Sequence, residues 1–310
     1  MSAWDLFAIG DLSVDTYVSV PFFPGADQKA IGELLGVFGG GMAASFAAAA
    51  AAAGARTLYQ TRLGSDPDGL EILDGLTALG VDVGPSRSVP GARTFQCYVQ
   101  LDSTGEKALV GADTGVKVPL VEEIDVASLE ASGHVYVLAD DLVWAHRVAD
   151  LVLAAGARLV VDLERSAFGR DPRSALDLAA KASVVFSNTK AFPDSPAEGL
   201  HGLARLIADR GPELTVVTDG ARGALAVQAG TEWFQPGVPT VVADSTGAGD
   251  AHNGTFLGHV MAGASVPEAL AAAAVAGSHC VESLGARSYL SRSRPSPSQP
   301  IPPSEEEVPK

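Results

Sequence analysis

"VVADSTGAGDAHNG", residues 241–254, is the stretch on which the reading of this chain turns. An apolar run stops at Asp244, which predicts the end of a strand, and "AHNGTFLGHVMAG" after Asp250 has the periodicity of a helix. The small residues Gly247, Ala248 and Gly249 therefore fall at a helix N-terminus, where unpaired backbone N–H groups and the helix dipole favour an anion. Glycines let that backbone approach a phosphate closely. A carboxylate at the mouth, Asp250, can take a proton from a hydroxyl while the amides stabilise charge on a transferring phosphoryl group. In isolation, a tight turn with Asp250 as a helix cap explains the same residues more simply. The stretch is not a Walker A loop, since no Gly-Lys-Ser/Thr follows, and it lacks the third glycine of a dinucleotide fingerprint, which disfavours an NAD-dependent dehydrogenase.

Working outward, β-rich apolar runs recur at the spacing of βα units: "HVYVLAD" (134–140), "RLVVDLE" (158–164), "SVVFSN" (183–188) and "LTVVTDG" (214–220). Helical segments such as "DLVWAHRVADLVLAAGA" and "AEGLHGLARLIADRG" lie between them. Near-continuous Val, Ile and Leu runs imply strands buried on both faces. The expected fold is α/β, a Rossmann-like, mostly parallel sheet flanked by helices on both faces. About 12–36 and 92–111 read as extended instead, with "DSTGE" as a hairpin signal, and predict a small antiparallel β lid. One domain over 1–290 is expected, followed by a Pro/Ser/Glu-rich tail over 291–310 that cannot bury apolar surface and reads as disordered.

The chain of 310 residues is 47% hydrophobic, ample for a large core. A net charge of −16 argues against a nucleic-acid partner and requires any anionic substrate to be neutralised locally. No run has the length and flanks of a membrane span, and the strand pattern begins by Leu6, which leaves no room for a secretory signal. Two cysteines far apart, Cys97 and Cys280, fit a reducing cytosol, so a cytoplasmic location is expected.

"DSTGAGD" resembles the C-terminal signature of the ribokinase-like (PfkB) carbohydrate kinases, and other pieces resemble that family in its order. These are "FAIGDLSVD" (7–15), "GGGMAASFAAAAAAAGA" (39–55), "TRLGSDPDG" (61–69) and "VVTDGARGALA" (216–226), so the likeness spans about residues 5–290. It implies ATP as donor, Mg2+, a sugar or nucleoside acceptor, and a homodimer paired through the lid. Carried over residue by residue, Asp250 is the base and Gly247, Ala248 and Gly249 hold the γ-phosphate. Asp11, Asp15, Gly40, Gly41 and Ser45 line the sugar. Asn188, Thr218, Gly220 and Gly223 lie along the nucleotide, with Ala276 and Gly277 beside the adenine. The resemblance also admits a monovalent cation, K+, beside Asp244 and Thr246.

Four positions depart from the family pattern. Ser45 stands where a substrate-touching Asn is usual, and Ala191 stands where a Glu helps organise Mg2+, with Glu164 as a candidate substitute. His252 replaces an aromatic residue and reads as a packed histidine. The cation expected beside the ATP phosphates is not obvious, with Lys190 and Arg165 as candidates. Phe22, Phe23 and Phe95 are expected to form the dimer clasp. The reading is an ATP-dependent kinase of a primary hydroxyl on a sugar. A nucleoside kinase and a catalytically weakened small-molecule binding protein remain the alternatives.

Overall fold

The computed structural model describes residues 2–103, 106–192 and 199–291. Residues 292–310 of the expected tail lie outside the described residues, as do 104 and 105 of the expected "DSTGE" hairpin signal. Nine strands form one sheet, in spatial order β15 (Thr231–Gln235), β14 (Ala224–Gln228), β13 (Leu214–Thr218), β12 (Val184–Asn188), β11 (Arg158–Leu163), β10 (Ser132–Ala139), β1 (Trp4–Ile9), β4 (Thr57–Gln60) and β6 (Val81–Asp82). Pairing is parallel from β13 to β6, and β14 and β15 add an antiparallel edge.

Alternation along each buried strand divides the core in two. On β10, Val135, Val137 and Ala139 face α3 (Val126–Glu130), α4 (Leu142–Ala154), α5 (Arg165–Arg170), α6 (Pro172–Ala179) and α7 (Gly199–Ala208). Tyr136 and Leu138 face the opposite layer of α1 (Met42–Ala52), α2 (Pro67–Ala78), α8 (Ala248–Met261) and α9 (Val266–Cys280). The alanine-rich stretch is legible here as α1, packed so closely on α8 that a Cβ at Gly254 would collide with the Phe46 carbonyl. One at Gly258 would lie 2.7 Å from the Ala53 Cβ. The chain builds the β1–β4–β6 side first and then returns to β10 on the other side of β1. That reversal opens a crevice at the C-terminal strand ends, the usual ligand position in open α/β sheets.

The lid is a four-stranded sheet, β3 (Glu33–Gly40), β2 (Ser13–Ser19), β8 (Gln96–Leu101) and β9 (Lys107–Ala112). Two antiparallel pairs are joined through a parallel β2–β8 pairing. Residues 20–32, with Pro21 and Pro24, form no strand, so β3 begins later and runs further than the sequence pattern predicts. A two-stranded piece, β5 (Arg62–Gly64) with β7 (Arg87–Val89), carries no clear sequence signal. A correction falls at the opening stretch: residues 236–243 are not a strand. Pro236 and Pro239 cannot donate to a ladder, and Val241 and Val242 are exposed. The segment is instead held at its end, where the Ala243 and Asp244 amides donate to the Val281 carbonyl at 2.7 and 3.2 Å.

Candidate active site

Side chains answer the first-turn amides of α1, α2, α4, α6 and α9, whereas the short helices α3 and α5 and the long helix α8 start without a side-chain cap. Asp66, Asp141 and Asp171 accept first-turn amides of α2, α4 and α6, and Ser265 and Glu268 form a capping box on α9. At α1 the Ala43 amide donates to Asp11 Oδ1 at 3.0 Å. α8 begins at Gly247, in the left-handed region at φ 79°, without a side-chain cap. The amides of Ala248, Gly249 and Asp250 have no acceptor among the described residues. A Cβ at 247 would collide with Ala286, whereas one at 249 would meet open space. The loop before the helix is fixed by Asp244, whose Oδ1 accepts from the Thr246 amide (2.9 Å) and hydroxyl (2.6 Å). Its Oδ2 accepts the Gly285 amide at 3.0 Å.

Asp250 stands in the first turn of α8, 8% exposed, and accepts no hydrogen bond among the described residues. Burial, reinforced by the charges of Asp162, Glu164 and Asp11, pushes its pKa well above the usual carboxylate range. Its surroundings are thus polar rather than an apolar core. Asp162, at the end of β11, is pushed to about 7 by burial and then by Glu164, and accepts from Asn253 Nδ2 at 3.1 Å. Glu164 is raised chiefly by burial and accepts from Asn188 Nδ2 at 3.2 Å. From the lid, Lys107 Nζ donates to Thr246 Oγ1 at 3.0 Å. Burial lowers its pKa against the pull of Asp244 and Asp250. The ammonium therefore reaches the same turn as the open amides.

The first glycine turn forms the other wall. Gly41 starts α1 at φ 97°, and a Cβ there would collide with the Asp11 carbonyl; one at Gly40 would collide with the Asp15 carboxylate. Asp15 accepts from Ser13 Oγ at 2.5 Å, and burial raises its pKa to about 6. Asp11, likewise raised by burial, feels the Lys117 ammonium, which pairs with Asp140 and lies 5.2 Å over the Phe95 ring.

The pfkB family carbohydrate kinase model matches residues 5–292. The chain belongs to this family. It is 28% identical to the ATP-dependent ribose-1-phosphate kinase of Halopiger xanaduensis, over 91% of this chain and 94% of that one. It is 23% identical to a ribokinase of Haemophilus influenzae, over 92% and 94%. Its fold matches a putative ribokinase II from E. coli in complex with ATP and Mg2+, with a TM-score of 0.77 at 20% identity, covering 91% and 94%. Membership makes the protein a phosphotransferase acting on sugar hydroxyls.

Within this kinase, the residues expected to bind sugar gather just after β1, at the start of β2, at the end of β3 and in the first turn of α1. Those expected to bind nucleotide follow β12 and β13. Asn188 ends β12, and Thr218 ends β13 before the turn of Gly220 and Gly223. A Cβ at Gly223 would collide with the Gln235 carbonyl, so this turn depends on glycine. Ala276 and Gly277, on the last turns of α9, come beside the α8 start, with a Cβ at 277 falling 3.4 Å from the Ala248 carbonyl oxygen.

The departures have structural explanations. Ala191 is fully buried in the apolar cluster under α7 and offers no metal ligand. Glu164, bonded to Asn188, supplies a carboxylate next to that strand end. His252 is packed in α8 with Nδ1 on Asn253 Oδ1, and burial lowers its pKa to about 4, so it stays neutral near pH 7. Lys190 and Arg165 are exposed, and the cation at the glycine turn is Lys107. The three lid phenylalanines separate: Phe22 and Phe23 are exposed, whereas Phe95 turns onto Lys117. Sequence reasoning missed Lys107, Lys117, Asp140 and Arg287, which the lid, the loop after β9, the end of β10 and the turn after α9 bring in from separate parts of the chain. The lone lysine after "DSTGE" was the one available signal.

Proposed function

We propose that this kinase transfers the γ-phosphoryl group of ATP to a primary hydroxyl of a sugar, with Asp250 as base and the amides of Gly247, Ala248 and Gly249 as the anion hole. The observation that carries the assignment is the uncapped start of α8 with a carboxylate in its first turn. A base that receives a proton in the transition state works best with a pKa raised toward the operating pH, as burial and neighbouring carboxylates provide here. Asp11, Asp15, Gly40, Gly41 and Ser45 position the sugar. Asn188, Thr218, Gly220, Gly223, Ala276 and Gly277 position the nucleotide, and Lys107 adds positive charge at the transferring group.

Among the described residues, no group of three or more His, Cys, Asp or Glu is arranged to hold a metal alone. That suits Mg2+, which is held by one or two carboxylates together with substrate phosphates and water. Glu164 and Asp162, two crowded oxygen donors with raised pKa values, fit the role. The ion would neutralise charge on the bound phosphates. K+ would meet backbone at Asp244 and Thr246, because the Asp244 carboxylate already accepts three hydrogen bonds.

We also propose that the lid pairs two copies. Val37, Thr16, Tyr98 and Val110 form one row across its four strands, and the three apolar members are about half exposed. A groove of about 420 Å³ lined by Val18, Pro24, Ala30, Tyr98 and Val110 adjoins this row and includes none of the site residues. Tyr98→Glu is expected to convert dimer to monomer by light scattering; a wild-type monomer would remove the clasp. Among the described residues, no helix is long and apolar enough to cross a membrane. The functional reading is tested by ADP formation from ATP with a panel of sugars and nucleosides. Sugar-dependent turnover is expected. Thermal stabilisation by sugars without turnover would make the protein a binder.

A further inference from the structure

Arg287 is the one buried guanidinium of the site wall. It lies in the turn after α9, two residues beyond Gly285, whose amide Asp244 holds, and next to Ala286, which packs on Gly247. It is 9% exposed. Nη1 donates to the Gly40 carbonyl at 3.0 Å and to Ser45 Oγ at 3.2 Å, two neutral acceptors. Nε and Nη2 have no acceptor among the described residues, and no carboxylate lies within ion-pair distance. The short Ser45 side chain leaves room for the fork beside α1. Burial pulls the Arg287 pKa down, while Tyr59, Asp15, Asp250 and Asp11 pull it back up from a distance.

A guanidinium stays charged, so burying one without a counter-ion is costly unless something supplies the missing negative charge. Its planar fork matches a carboxylate or a phosphate. Lys117 is already paired with Asp140, which leaves Arg287 as the uncommitted cation of this wall. Asp11 and Asp15 present acceptors suited to hydroxyls from nearby. Resting on the sugar-kinase reading, we propose that Arg287 is a specificity-determining residue that binds an anionic group of the acceptor, making the preferred substrate a sugar acid or a sugar phosphate.

The test matches acceptors in all but charge: D-ribose and D-glucose, each against its 1-phosphate and its aldonate, with ATP and the full chain. The charged member of at least one set is expected to exceed its neutral partner in kcat/KM by at least about tenfold. Arg287→Gln should shrink that ratio by a similar factor, mainly through KM. Arg287→Lys, which keeps the charge without the fork, should fall between and controls for folding. Phosphate against carboxylate in the panel identifies the anion. Neutral sugars phosphorylated as well as their charged partners would overturn the proposal and leave the kinase reading standing. If no acceptor turns over, the kinase reading fails and thermal shift decides this one. Stabilisation of the wild type by a charged sugar, lost in Arg287→Gln, supports the anion site, and no stabilisation overturns it.

Discussion

α1 and α8 lie side by side on one face of the sheet, and each begins at a glycine with positive φ. At α1 the chain supplies its own anion, Asp11, to the first turn. At α8 it supplies none, and sets a raised-pKa carboxylate within the same turn. The same backbone device thus serves once as a closed structural joint and once as an open site. A glycine-started helix is therefore no site by itself; what matters is whether the protein has already answered the amides.

The sharpest way to break the comparison is Asp250→Asn, which should keep the circular-dichroism spectrum and lower kcat by at least about a hundredfold. An unchanged rate would remove Asp250 from the mechanism. Next come the two glycines of the open turn. Gly247→Ala meets Ala286 and a left-handed φ, and should lower stability by about 1–3 kcal/mol with a loss of activity. Gly249→Ala meets open space, so its melting temperature should hold while turnover falls, because the methyl group crowds the bound phosphate rather than the fold. Equal stability losses in both would mean that the turn is merely structural. Lys107→Met should reduce kcat/KM for ATP by about tenfold without lowering the melting temperature.

The charge cluster makes a pH prediction. Asp15, raised to about 6, and Asp162, raised to about 7, bind protons more tightly folded than unfolded. Ligand-free stability should therefore rise, by about 1–3 kcal/mol, as pH falls from about 8 toward 5. Below about pH 4 it should fall, as carboxylates with lowered pKa such as Asp66 and Asp219 take up protons. Asp162→Asn should flatten the rise in a melting-temperature profile; an unaltered slope would assign it to other groups. The smallest effect belongs to the closed joint, where Asp11→Ala should cost about 1 kcal/mol by denaturant titration.

Much of this was legible in the sequence because it is local. The parallel strands announce themselves as Val/Ile/Leu runs, and the two glycine turns as short motifs. The apolar run before Asp244 misled, because Val241 and Val242 look like a strand while their neighbouring prolines deny it a ladder. Arg287 and Lys107 were illegible for a different reason. Arg287 meets Gly40 and Ser45 across some 240 residues, and Lys107 meets Thr246 across 139. No periodicity or spacing encodes a meeting of that kind. Ala191 could be read as a missing carboxylate, but not as a core residue whose loss leaves Glu164 beside the same asparagine.

The bare contact between Gly254, Gly258 and the alanine face of α1 fixes what can move during a catalytic cycle. Two helices meshed without intervening side chains have little slack to slide, so Asp250 keeps its place relative to α1. Enlarging one methyl group on that seam would press on α8 only one or two turns from the Asp250 carboxylate, which makes the blandest part of the chain among its least forgiving.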